Sequence, residues 1–262
     1  MLKKLTTYEI KATSRFFLPL FAVFAGTSVI LKIYFSLLPT NSQNVLAGLI
    51  GIIFVCCYAL LAIGLFGMCY FICFYRFYKN IYSDEGYLTL TLPVTVDSHI
   101  VSKLITSILW ILSSILLIIA SVFLFFAGTH MFSEFMHEFS SIMHFIYTTY
   151  IESGGTTLLT VSGIISVMIQ IVGVPLFIYM CITIGGLFPN HKLSASIAAF
   201  FIIQLGLSFF YTVFTYLLMT IFNVDIYGSP NAVFYAGTVI EIIKTIVCYF
   251  ITRYLLKNKI NL

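Results

Sequence analysis

The stretch Tyr75–Lys103 reads YRFYKNIYSDEGYLTLTLPVTVDSHIVSK and lies between two long apolar runs. Hydrophobic residues make up 61% of the chain and charged residues only 8%, whereas a soluble domain has about 25% charged residues. We therefore expect the chain to lie in a membrane, and we interpret this stretch as a polar interval between two membrane spans.

The apolar runs on both sides of this interval predict the number of spans. A helix needs about 20 apolar residues to cross the hydrocarbon core of a bilayer. Six stretches are long enough, at about 16–38, 46–74, 104–128, 158–184, 195–222 and 233–256. The sequence thus predicts an all-α membrane protein with six transmembrane helices that form a single domain over residues 1–262.

The positions of the basic residues predict the orientation of the chain. If the six helices alternate in direction, eleven of the 13 Lys and Arg residues fall on one side of the membrane. These are Lys3, Lys4, Lys11, Arg15, Arg76, Lys79, Lys103, Lys192, Arg253, Lys257 and Lys259. The loops 39–45, 129–157 and 223–232 contain neither Lys nor Arg. Because basic residues favour the cytoplasmic side, we expect Tyr75–Lys103 and both termini to be cytoplasmic.

Two further segments have amphipathic patterns. Residues 1–15 are polar and basic with one apolar face, which predicts a helix lying flat on the membrane before the first span. That span is too long for a signal-peptide core and is expected to be a retained anchor. In the outer loop, residues 131–147 place apolar residues at spacings of three and four, which predicts a second amphipathic helix on the outer leaflet.

The sequence argues against an enzyme. It contains no GxxxxGK[ST] loop for nucleotide binding. His137 and Glu138 begin like the zinc-protease motif HExxH, but Ser141 stands where the second histidine is required. The six cysteines lie in apolar runs, and none has the spacing of a metal site in a polar loop. No metal site, resident cofactor or nucleic-acid partner is expected.

Polar residues inside the spans are candidates for a transport path. Glu241 and Lys244 are three residues apart near mid-depth, where they can neutralise each other as a structural pair or line a path. Lys32 lies near the outer end of span one and can extend its ammonium group to the interface. Gln170 and Gln204 are expected to be buried, where such side chains hold helices together more often than they bind substrate.

The centre of Tyr75–Lys103 is expected to contact another protein. Leu88, Leu90 and Leu92 alternate with polar residues, a local pattern typical of a strand. An isolated strand is unstable, and several apolar side chains would be exposed together in a solvated loop. After this segment, Thr95 or Asp97 can cap the helix of span three.

The same segment resembles the permease subunits of ABC-2-type ABC transporters. The likeness is carried by Asp84-Glu85-Gly86-Tyr87-Leu88-Thr89-Leu90-Thr91-Leu92-Pro93-Val94-Thr95, followed by Ser102-Lys103. The runs Tyr8–Thr13 and Arg15–Leu20 are similar to the amphipathic helix that precedes span one in this family.

This resemblance implies a bacterial exporter in the plasma membrane, built from two permeases and two ATPase subunits. The segment after span two would be a coupling helix rather than a strand, seated on the ATPase. Its contact residues would be Asp84, Glu85, Gly86, Tyr87, Leu88, Leu90 and Leu92. ATP and Mg²⁺ would be bound by the ATPase chain. The cargo implied is an antimicrobial, lantibiotic-like peptide or a lipophilic compound.

Two other functions are consistent with the residues. The first is a secondary transporter or channel that uses Glu241 and Lys244 without an ATPase. The second is a membrane scaffold or sensor in which the helix 131–147 is the ligand surface.

Overall fold

The computed structural model describes residues 2–37, 45–82, 95–127, 131–152, 157–188, 190–222 and 230–258. Within these ranges the chain forms seven α-helices and no strand. The helices are α1 (Leu2–Leu37), α2 (Val45–Tyr82), α3 (Val96–Phe126), α4 (Met131–Glu152), α5 (Thr157–Gly185), α6 (Lys192–Phe222) and α7 (Pro230–Asn258).

Six of these helices are long and apolar enough to cross a membrane, and α4 is the exception. The predictions of an all-α fold and of six candidate spans are therefore confirmed, and the chain is a multi-pass membrane protein. Several helices extend beyond the predicted spans. Residues 75–82 continue α2 and residues 96–103 begin α3, while 83–94 lie outside the described residues.

The two predicted amphipathic segments are both helical. The first is described from Leu2 onward and is continuous with span one in α1, whose 36 residues correspond to about 54 Å. The second, residues 131–147, belongs to α4, which extends to Glu152. Most of the apolar residues of α4 are exposed, for example Phe139 at 44% and Phe145 at 69%.

The helices form two units, of which unit 1 contains Met1–Cys73 and Ile105–His144. Its core is organised around Trp110, the one tryptophan of the chain. The Trp110 ring stacks on Phe17 at a centroid distance of 4.4 Å. Its Nε1–H donates a hydrogen bond of 2.8 Å to Thr13 Oγ1, so the buried indole nitrogen is satisfied inside the apolar core.

Unit 2 contains Phe74–Leu104 and Phe145–Leu262, and α5 is its central helix. In the most apolar stretch of each span, 50% of the residues are buried in α5 and 0% in α6. Helix α5 packs on both α6 and α7. Close approach is possible because Gly173 faces Thr245 and Gly185 faces the backbone of Ser196. The deepest core lies at Tyr179, whose ring stacks on Phe77 at 4.0 Å.

Candidate functional site

Four of the predicted polar residues lie near the middle of their candidate spans in unit 2. Gln204 is twelve residues after Lys192 and thirteen before Leu217, the limits of its span. Gln170, Glu241 and Lys244 are also within a few residues of the span centres. We call Gln170, Gln204, Glu241 and Lys244 the mid-span polar set.

The contacts between α5 and α7 place Gln170 and Glu241 at about the same depth in the membrane. A Cβ at Gly163 of α5 would lie 3.9 Å from the ring of Phe234 in α7. Because both helices then advance by the same rise per residue, Gln170 and Glu241, each seven residues further on, lie at about the same depth.

The contact between α6 and α7 relates the depth of Gln204 to that of Lys244. A Cβ at Gly237 would lie 3.2 Å from the Tyr211 hydroxyl. Helix α6 runs opposite to α7, because each follows its predecessor after a short connection. Because the Tyr211 hydroxyl is at the end of a long side chain, this contact places Gln204, seven residues before Tyr211, within about two helical turns of Lys244, seven residues after Gly237.

Glu241 and Lys244 form an ion pair, with Lys244 Nζ 2.5 Å from Glu241 Oε2. The pair is only partly covered by the chain, because the Lys244 and Glu241 side chains are 22% and 32% exposed. Two opposite charges near mid-span thus neutralise each other while remaining partly accessible.

The expectation that Gln170 and Gln204 are buried is wrong for the single chain, since both residues are exposed. Within the described ranges, neither side chain has a hydrogen-bond partner. Sequence alone did not predict this exposure, because α6 contacts α5 along one side only and turns Gln204 away from it. Two amides are thus free to bind groups outside the chain.

The remaining predicted residues are not part of this set. Lys32 is half-buried in unit 1, five residues before Leu37 at the end of α1. The predicted docking residues lie outside the described residues, and they are Asp84, Glu85, Gly86, Tyr87, Leu88, Leu90 and Leu92.

The residue that precedes the undescribed segment 83–94 is held by contacts within unit 2. The Tyr82 hydroxyl donates a hydrogen bond of 3.4 Å to the Thr183 carbonyl in α5. Lys192 Nζ donates one of 3.4 Å to the Tyr82 carbonyl. A Cβ at Gly186 would overlap the Tyr82 ring, so this glycine allows the ring to pack on the α5–α6 connection.

The residues that follow 83–94 are also held. Thr95 caps α3, because its Oγ1 accepts a hydrogen bond of 3.4 Å from Ser98 N. Asp97, the other predicted cap, is bound to α7 instead. Its Oδ1 is 2.8 Å from Arg253 Nε and accepts a hydrogen bond of 2.9 Å from the Tyr249 hydroxyl. We call Asp97, Tyr249 and Arg253 the α3–α7 clasp.

Sequence reasoning missed the α3–α7 clasp. Asp97 and Tyr249 are 152 residues apart, and no local spacing relates residues at that separation. The available signal was that Asp97 and Arg253 are opposite charges at span ends on the same predicted side of the membrane.

We expect Glu241→Gln or Lys244→Met alone to lower the stability of the chain by about 2 to 3 kcal/mol, because one charge near mid-span then lacks its counterion. The double variant should return to within about 1 kcal/mol of the wild type, since neither charge remains. Thermal unfolding of the purified chain, measured by the fraction that stays monodisperse in detergent, tests this. Lys257→Met, at an exposed position of the same helix, is the matched control. Single variants as stable as the control would contradict the prediction.

Comparisons with protein-family models, with curated proteins and with solved structures found no match for this chain.

Proposed function

We propose that this chain is the membrane-spanning permease subunit of an ATP-driven exporter of the ABC-2 type. In this proposal a separate ATPase binds ATP and Mg²⁺ and docks on residues 84–92. A second permease, identical or homologous, completes the transporter. The six candidate spans and the resemblance of residues 84–95 to this family support the assignment.

The observation that carries the proposal is that the described residues on either side of 83–94 are bound to helices of unit 2. Tyr82 is bound to the α5–α6 region, and Asp97 is bound to α7. Packed helix ends make such contacts whether or not the segment between them receives force. A segment that receives force needs them, because a displacement is transmitted only through contacts that hold.

The α3–α7 clasp supplies a route from this segment to the middle of the span. Helix α7 is continuous from Pro230 to Asn258, so a displacement at Arg253 moves the whole helix. Lys244 lies nine residues away on the same helix, which is about 14 Å. Closure of the ATPase pair would therefore shift Glu241 and Lys244 relative to α5 and α6.

The finer features of the fold belong to this proposal. Both termini and residues 83–94 face the cytoplasm of a bacterial cell, and the protein lies in the plasma membrane. Residues 2–15, the first part of α1, lie at the membrane surface next to the ATPase. Helix α4 rests on the outer leaflet. In that position lipid covers the apolar side chains that are exposed in the isolated chain.

The proposed cargo is a peptide of the antimicrobial, lantibiotic-like class or a lipophilic compound, and this choice rests on the family resemblance. The mid-span polar set is suited to the peptide class. Exposed amide groups and partly exposed charged groups in the middle part of the spans can exchange hydrogen bonds with a peptide backbone that has lost its water.

We expect an ATPase chain to copurify with the tagged protein in mild detergent, and to be lost from Glu85→Arg and Leu90→Asp. The first variant reverses a charge in the docking segment, and the second places a charge in its apolar face. Mass spectrometry of the purified complex identifies and quantifies the ATPase. Glu138→Arg, the same charge reversal at an exposed position of α4, should retain it. Full ATPase recovery with both docking variants would overturn the proposed coupling.

The partly exposed Glu241–Lys244 pair favours one alternative, a secondary transporter or channel. In that case flux would depend on an ion or proton gradient and would proceed with no ATPase present. Flux measurements in vesicles that contain the purified chain alone distinguish the two functions.

A further inference from the structure

Unit 1 contains a cavity of about 190 Å³ between α1, α2 and α3, separate from the mid-span polar set. All of its lining residues belong to candidate membrane spans. We call it the α1–α3 cavity, and it is lined by Ser28, Leu31, Val55, Tyr58, Val122, Phe125 and Phe126.

The two polar residues of this lining expose no polar surface to the cavity. Ser28 Oγ donates a hydrogen bond of 2.7 Å to the Ala25 carbonyl in its own helix. The Tyr58 hydroxyl is paired with Ser121 Oγ. The surface that faces the cavity is consequently apolar throughout.

An apolar lining of this size selects an apolar ligand. Water needs two to four polar partners to occupy a cavity, and comparable apolar cavities of about 150 Å³ stay dry and bind benzene. Val55, Val122 and Leu31 provide aliphatic contacts, and Phe125 and Phe126 provide aromatic faces. A hydrocarbon group of about benzene size is therefore the kind of ligand that this lining and volume suit.

The membrane itself supplies such a group. The helices that line the cavity expose large apolar side chains on their outer faces, among them Ile30, Ile52 and Leu116. In a bilayer these faces are covered by lipid hydrocarbon, so acyl chains are the most abundant apolar groups beside the cavity. We propose that the end of one lipid acyl chain occupies the α1–α3 cavity.

The cavity is also connected to α4. The Phe126 ring, which forms part of its wall, stacks on Phe135 of α4 at a centroid distance of 4.1 Å. Occupancy by an acyl chain therefore supports the wall on which the start of α4 rests. This proposal does not depend on the transport function.

The test uses vesicles that contain a phospholipid with a photoactivatable diazirine near the end of its acyl chain. After illumination of the embedded full-length chain, mass spectrometry should find adducts on Val55, Tyr58 or Val122. Val122→Phe and Val55→Leu narrow the cavity, and labelling there should fall about tenfold, which is a loss of about 1.4 kcal/mol in binding. Labelling at Val239 and Ile243, exposed residues of the separate groove between α6 and α7, should not change.

The fluorescence of Trp110, the sole tryptophan, reports whether unit 1 remains folded in each variant. If Val122→Phe alters that emission, the smaller change Val55→Leu decides the result. Adducts at Val239 without adducts at the cavity would overturn the proposal. Cavity labelling that is equal in the wild type and in the folded variants would overturn it as well.

Discussion

Gly185→Ala will lower the stability of unit 2 by about 3 kcal/mol, the upper end of the usual cost of overpacking. A Cβ at this position would lie 2.5 Å from Ser196 N and 2.6 Å from Ser196 Cα. These are backbone atoms at the start of α6, and they cannot move aside as the end of a flexible side chain can. The close contact between α5 and α6 would have to open.

Thermal unfolding of the purified chain in detergent measures this effect. Gly206→Ala is the matched control, because nothing lies within 4 Å of a Cβ at Gly206 in α6. That control should be as stable as the wild type or more stable by up to about 1 kcal/mol, the helix-propensity gain of alanine over glycine. Equal stability of the two alanine variants would show that α5 and α6 do not approach closely at Gly185.

In the proposed exporter, Arg253→Glu will impair export while leaving the fold and the docking of the ATPase intact. Arg253 and Asp97 are 45% and 36% exposed, and ion pairs of this exposure contribute about 0 to 1 kcal/mol to stability. The clasp that attaches α3 to α7 would be replaced by repulsion between two carboxylates. We expect ATP hydrolysis to continue and cargo flux to fall at least about tenfold, a loss of about 1.4 kcal/mol in coupling.

The charge-swapped double variant, Asp97→Arg with Arg253→Asp, should recover part of the flux, since the attraction is restored with the charges exchanged. Lys257→Glu is a reversal of the same kind at an exposed position one turn further along α7, and it should transport normally. ATPase activity and flux are measured on the same reconstituted vesicles. Wild-type flux in Arg253→Glu would exclude the clasp from coupling, whatever the cargo is.

The number of spans could be predicted from the sequence because the requirement is local. About 20 consecutive apolar residues satisfy the hydrocarbon core whatever the other helices do. A cap at Thr95 or Asp97 was predictable for the same reason, and Thr95 forms it with Ser98, three residues away. The ends of α2 and α3 were less predictable. Polar residues such as Lys79 can continue a helix beyond the hydrocarbon region, so hydropathy does not reveal where that helix stops.

The site was only partly predictable. The sequence identified Glu241 and Lys244 as a pair, because residues three apart are neighbours on a helix. It gave no reason to expect Gln170 and Gln204 to be exposed, because exposure depends on which side of α5 or α6 is turned toward its neighbours.

By itself, the sequence determined an all-α chain with six candidate membrane spans and an ion pair near the middle of the last one. These properties follow from apolar length and helical spacing, which act within one segment. The tertiary structure decided that Asp97 binds Arg253 and Tyr249, and that Tyr82 packs at Gly186. It also left Gln170 and Gln204 exposed. The physical reason is that these contacts depend on the rotation and offset of whole helices, which are set by packing between residues far apart in the chain.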